Sequence, residues 1–265
     1  MSPRIVSALV TRYVLLYTRN PVRLFELFFW PVVQLLVWGF LTVFLQQQGG
    51  AGPPGFIVFL IGGIILWDAL YRAQQGVAIS FLEDVWTRNL LNIFAAPVRM
   101  TEYLAATFAV GILRVLVTAA VMIAIAAAVY HFHFLGFGAR LVVFYANLLG
   151  FGWVLGIVAM ALILRWGHGA ESLAWSVPFI IQPVAAVFYP VAVLPGWARP
   201  IALAMPPAHV FEGMRGQLAG EPMGWLHLAC ATGLNCLYLA AAGVLFARTL
   251  AGARERGLLV KVTSS

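Results

Sequence analysis

A chain of 265 residues that is 63% hydrophobic and only 9% charged, with a mean hydropathy of +0.94, carries more apolar surface than a soluble core of that size can hide. The composition excludes an ordinary soluble globular domain and makes lipid the expected solvent. The net charge of +7 rests on arginines placed unevenly between the apolar runs, with Lys261 the single lysine.

Lipid admits helices or a closed barrel, and apolar runs of about 20 residues without two-residue alternation leave only helices. The expected class is an all-α integral membrane protein with six transmembrane helices in one domain, residues 1–265. In residues 1–20, Ile5, Leu9, Val10, Val14 and Leu16 interleave with Arg4, Arg12 and Arg19, which is too polar to span and suits an in-plane amphipathic helix. Asn20-Pro21 ends it. The first span is predicted over 24–45, with Pro31 as a kink. It starts behind a basic helix with no small-residue cleavage site after it, so no cleavable signal peptide is expected. A Gln/Gly/Pro loop leads to the second span, 56–79.

Residues 81–97 form a charged, helix-capable island between two apolar runs. Ser80 is placed to cap it, with Glu83 three residues on as in a capping box. Asp84 and Arg88 are four apart and can pair, Trp86, Leu90, Ile93 and Phe94 share an apolar face, and Pro97 ends the run. On amphipathicity alone this is an interfacial helix; its place in the chain makes it a docking helix.

The third span, 102–129, exceeds what a core of about 30 Å requires, so it must tilt or project into water. His131–Arg140 reads as a tight turn, and 141–164 is the fourth span, where Gly152 and Gly156 permit close helix approach. After a polar loop at Arg165–Glu171, the fifth span, 172–193, is interrupted by Pro178, Pro183 and Pro190 and reads as a broken helix. Residues 194–224, punctuated by five further prolines, suit outer re-entrant helices. The sixth span is 225–250, followed by a basic tail. Eleven basic residues fall on the side of the termini and the 81–97 island, against Arg140, Arg199 and Arg215 opposite, so the termini and the island are expected in the cytoplasm.

No enzyme constellation emerges. There is no nucleophile elbow, no metalloprotease spacing and no cysteine ligand set; Cys230 and Cys236 read as small packing residues, and His131 with His133 lack further ligands. A P-loop needs a lysine after a glycine spacing that Lys261 lacks, so any ATP must bind another chain. Three charges lie deep within predicted spans, away from their ends, where charge is costly and defaults to function. Asp68 and Arg72 are four apart and either neutralise one another or contact substrate. Arg114 has no acidic neighbour in sequence and must face protein, water or an anionic ligand. His209, Glu212 and Arg215, three apart, form either a local salt bridge or part of an outer gate.

The order of these parts resembles the type-2 family of ATP-binding-cassette exporter permeases over nearly the whole chain. The segment Glu83-Asp84-Val85-Trp86-Thr87-Arg88-Asn89-Leu90 with Pro97 is similar to that family's coupling-helix pattern, although the family's usual Gly before the Thr is Trp86 here. Pro206-Pro207-Ala208-His209 through Glu212 and Arg215 is similar to its pattern before the last span. The resemblance implies ATPase coupling through Glu83, Asp84, Trp86, Thr87, Arg88 and Leu90, with Leu91 and Phe94 beside them. It also implies a substrate path near Asp68, Arg72 and Arg114, and an outer gate at Pro183, Phe188, Tyr189 and Pro190 with His209, Glu212 and Arg215. The implied partners are two copies of a cytoplasmic ATPase, which hold the ATP and Mg, a second permease copy, and membrane lipids. No cofactor on this chain and no nucleic acid are expected, and the implied location is a bacterial inner membrane. Family substrates are amphiphiles: lipid-linked glycans, lipo-oligosaccharides, lipids and drugs. An ion-coupled transporter, the alternative, would normally show an internal repeat and unpaired mid-membrane acids, whereas Asp68 is the single deep acid.

Overall fold

The apolar runs fold as helices throughout a computed structural model that describes residues 1–47, 56–131, 140–220 and 224–255, with no strand among them. Helix α1 (Pro3–Thr18) starts on a proline, whose missing N–H costs nothing at a helix start, and buries Leu9 and Tyr13 along one face. The Asn20 side chain accepts from the Val22 and Arg23 amides at 3.1 and 3.3 Å, so the residue that ends α1 also caps α2 (Pro21–Gln47). Pro31 lies inside α2.

Helix α3 (Phe56–Trp86) has 31 residues and is about 46 Å long. It is the axis of the molecule, packed against α2, α5 (Met100–Tyr130) and α6 (Arg140–Trp166). Its crossings are close because glycines line them. A Cβ added at Gly152 would lie 2.7 Å from Ala73 Cβ, Gly156 abuts Val77, and Gly76 meets Gly111 on α5 backbone to backbone. The close approach expected at Gly152 and Gly156 is thus the α3–α6 contact. Helix α10 (Trp225–Glu255) packs on the far side of α6. Outward faces are greasy: Phe25, Phe29, Phe40 and Phe44 on α2, and Leu226, Leu237 and Val244 on α10, are exposed. Among the described residues, four helices are long and apolar enough to cross a membrane, over Pro21–Phe44, Met100–Tyr130, Leu141–Trp166 and Trp225–Ala253. Helix α3 matches them in length but is marked in mid-course by Asp68, Arg72, Gln74 and Gln75, all buried within the bundle.

Two expectations change. No helix starts at Ser80: α3 runs straight through it to Trp86, because nothing between Ile79 and Glu83 removes a donor or bends the backbone. The chain turns only at Arg88, in the left-handed region at φ 54°, and resumes as the short α4 (Leu90–Ala95). The capping box occurs one helix later, where the Glu102 carboxylate accepts from the Arg99 amide at 2.9 Å at the start of α5. The second change concerns 172–193. Helix α7 (Glu171–Ile181) has 11 residues, about 16 Å, and the chain then runs in turns through Pro190 to a 3-10 turn at Val191–Val193. Pro183 and Pro190 lack the donors that would continue the helix. Beyond lie α8 (Ala198–Leu203) and α9 (Pro206–Leu218). The 48–55 loop, the 132–139 turn with His133, Pro222, and the tail with Arg256 and Lys261 lie outside the described residues.

Candidate functional site: a cavity joined to a basal hub

Asp68, Arg72, Gln75, Ile79, Glu83 and Trp86 recur at helical spacing and form one stripe down α3. That stripe, with α2 and α7, bounds a cavity of about 810 Å³ that Tyr17 and Arg114 also line. Its apolar wall is rich in tryptophan: Trp30 and Trp38 from α2, Trp67 from α3, Trp175 from α7. Arg72 bonds Asp68 at 3.2 Å and its Nη1 donates to the Gln75 side chain at 3.2 Å, so the pair expected from spacing forms. Arg114 lies over the Tyr17 ring, 3.9 Å from the centroid. The structure brings Asp68, Arg72 and Arg114 to one wall. An apolar cavity of this size with a few convergent charges suits a ligand that is part hydrocarbon and part polar.

The lower end of the stripe belongs to a second cluster, the basal hub. Asp84 is fully buried and bonds Arg12 at 2.6 Å, Tyr13 at 2.5 Å and Tyr103 at 2.9 Å. Glu83 pairs with Arg23, and the Glu102 carboxylate accepts from the Ser2 amide at 2.6 Å. These bonds fasten α1 and the start of α2 to the end of α3 and the start of α5. Burial, then the Asp84 charge, push the Tyr13 hydroxyl far above its usual range, so it stays a neutral donor. Burial works against the Arg12 guanidinium, but its bond to Asp84 and the charge there more than offset this and raise its pKa.

The hub changes the reading of the docking residues. The predicted Asp84–Arg88 pair does not form, since Arg88 projects at a left-handed turn while Asp84 faces α1 and α5. Glu83 and Asp84 are turned inward, and Leu90 and Ile93 are buried in the chain's own core. What remains outward is Trp86, 39% exposed and donating to Glu171 at 3.3 Å, with Thr87 and Arg88. The backbone of Leu91 and Phe94 belongs to α4; their side chains lie outside the described residues. Sequence reasoning passed over Arg12, Tyr13, Tyr17, Arg23, Glu102 and Tyr103. The one local signal was Tyr13 four residues beyond Leu9 on the apolar face of α1.

At the opposite end, Glu212 and Arg215 form the expected pair at 3.1 Å. Arg215 Nη2 donates to the Ala186 carbonyl at 2.9 Å, and the Val191 amide donates to Glu212 at 2.6 Å. Ala186 has φ 56° and is fully buried, so these side chains satisfy the backbone that the broken segment leaves without helical partners. Burial lowers the Arg215 pKa, opposed by the bond and charge of Glu212. His209 stands apart from this pair, against the Leu203 carbonyl at 2.8 Å and His227 at 3.2 Å. Phe188 stacks on Trp38, Tyr189 donates to the Pro183 carbonyl, and Pro183 and Pro190 are exposed. Among the described residues no three His, Cys, Asp or Glu side chains converge on a metal position.

Greasy outer helices around a polar-marked central helix define a multi-pass helical membrane protein with a cavity of mixed apolar and charged lining. The sequence matches the profile of the ABC-2 type transporter family across residues 4–218, and the chain belongs to that family. It is a permease subunit and not itself catalytic. No curated protein matches the sequence.

Proposed function

We propose that this chain is the membrane subunit of an ATP-driven exporter that moves an amphiphile, such as a lipid-linked glycan, lipo-oligosaccharide, lipid or drug, out of the cytoplasm or inner leaflet. Two copies assemble with two cytoplasmic ATP-binding-cassette subunits that hold ATP and Mg, in a bacterial inner membrane crossed six times with both termini inside. The observation that carries the reading is the continuity of α3. One unbroken helix joins the exposed turn at Trp86–Arg88 to the Asp68–Arg72 wall of the cavity, about 27 Å away. Movement imposed on the turn by an ATPase pair closing on ATP would therefore reach the chamber as rigid-body motion.

Because Glu83, Asp84 and Leu90 are occupied inside the chain, coupling falls to Trp86, Thr87 and Arg88 with α4. The test is co-purification and ATPase activity with candidate ATP-binding-cassette subunits from the same genome, for the wild type and for a Trp86→Ala, Arg88→Glu variant. The expected result is a stable wild-type complex and loss of bound ATPase by about 10-fold or more in the variant, the size of effect expected at a docking hot spot. A chain that purifies alone, and a variant without effect, would return the turn to a merely interfacial role.

A further inference from the structure

Arg114 stands out on the cavity wall. Glu83 serves Arg23 and Asp68 serves Arg72, but among the described residues no carboxylate pairs with Arg114. The side chain is only 6% exposed. Its Nη1 reaches the Gln75 carbonyl at 3.4 Å, a weak bond, while Nε and Nη2 have no hydrogen-bond partner. The Tyr17 ring offers its face to the cation but supplies no carboxylate. A buried guanidinium with two idle donors is expensive to hold, and a fold keeps one where something else completes it.

Nε and Nη2 lie side by side on one edge of the guanidinium plane. That edge is the fork that takes a carboxylate or phosphate with two parallel bonds. We propose that Arg114 receives the anionic, phosphate- or carboxylate-type headgroup of an amphiphile held in the cavity, a proposal that rests on the chamber being the transport path of the proposed function. Tyr17 belongs to the last turn of α1, so the fork lies beside the end of that helix. A tail has room along Trp30 and Val37 of α2, which line the cavity and are exposed. Glu26 is the remaining acid on the wall. It is exposed, whereas Arg114 is buried, so the charge that needs a counter-ion inside the cavity is the cation.

The test measures binding to the full-length chain in neutral maltoside detergent, read by quenching of the cavity tryptophans. The probes are dodecyl phosphate, dodecylphosphocholine, dodecyltrimethylammonium and inorganic phosphate. Dodecyl phosphate is expected to bind about 10-fold or more tighter than the other three, and Arg114→Gln to remove that preference. Arg114→Lys, which keeps the charge and loses the fork, is expected to fall between. Equal binding of the phosphocholine or ammonium probe overturns the proposal. Equal binding of inorganic phosphate overturns the amphiphile part, and an Arg114→Gln chain that melts like wild type and binds unchanged overturns the residue assignment. The four-probe comparison on the wild type needs no variant, so it stands even if Arg114→Gln fails to fold. No ATPase is present, so failed ATPase docking leaves this readout intact, and lost anion preference leaves the docking assay intact.

Discussion

Asp84 shows how a residue's partners are chosen by burial and not by spacing. Arg88, four positions on, is the partner that helical periodicity offers, yet the carboxylate takes Arg12, Tyr13 and Tyr103 from two other helices. A buried carboxylate must be paired where it is buried, and Arg88 sits beyond the end of the helix in solvent. Replacing Asp84 by Ala removes the carboxylate that Tyr13, Tyr103 and Arg12 share and leaves Arg12 without its counter-charge. The expected loss is about 2–4 kcal/mol of stability. Thermal melting of the detergent-solubilised protein measures it, with Arg88→Ala within about 0.5 kcal/mol of wild type as the control. Asp68 and Arg72 are the opposite case. Both sit on one helix in one environment, so the local rule and the structure agree.

Among elements, the helices and their order were largely legible, because every long apolar run except 172–193, which is helical only to Ile181, is a helix in the structure. Gly152 and Gly156 were legible too, being neighbours on one helix. Gly76 and Gly111 were not, since their meeting depends on how α3 and α5 cross. Gly76→Ala would drive a methyl group into the Gly111 backbone and is expected to cost about 1–3 kcal/mol, whereas Gly243→Ala, with nothing within 4 Å, is expected to be neutral. Paired melting curves check both. The prolines of 172–193 announced a break, but not its remedy. That Glu212 and Arg215 of α9 would supply the missing backbone partners follows only from three-dimensional placement.

For the whole molecule, sidedness is the open expectation with the sharpest reading. In a Cys230→Ala, Cys236→Ala background, cysteines placed at the exposed positions Ser7 and Gly196 should react with an impermeant thiol reagent from opposite faces of the membrane. Ser7→Cys should label from the cytoplasmic face, as the arginine distribution requires. Labelling of intact cells against inverted vesicles decides it, and reaction from the same face would remove one crossing from the count. The candidate site was only half visible at this scale. Asp68, Arg72 and Arg114 could be singled out as costly charges, but the chamber they share is made by helices far apart in sequence, including α1, which looked like a surface element alone.

The burial of α3 also bears on how the chain is made. A helix that carries Asp68 and Arg72 in mid-course is a poor candidate for stable residence in hydrocarbon by itself, each such charge costing about 2.5–3.5 kcal/mol at a bilayer centre. Its shelter comes from α5 and α6, which are synthesised later. Stable insertion of α3 is therefore expected only once the glycine faces of those helices arrive. The axis of the finished protein is then among the last of its parts to be committed to the membrane.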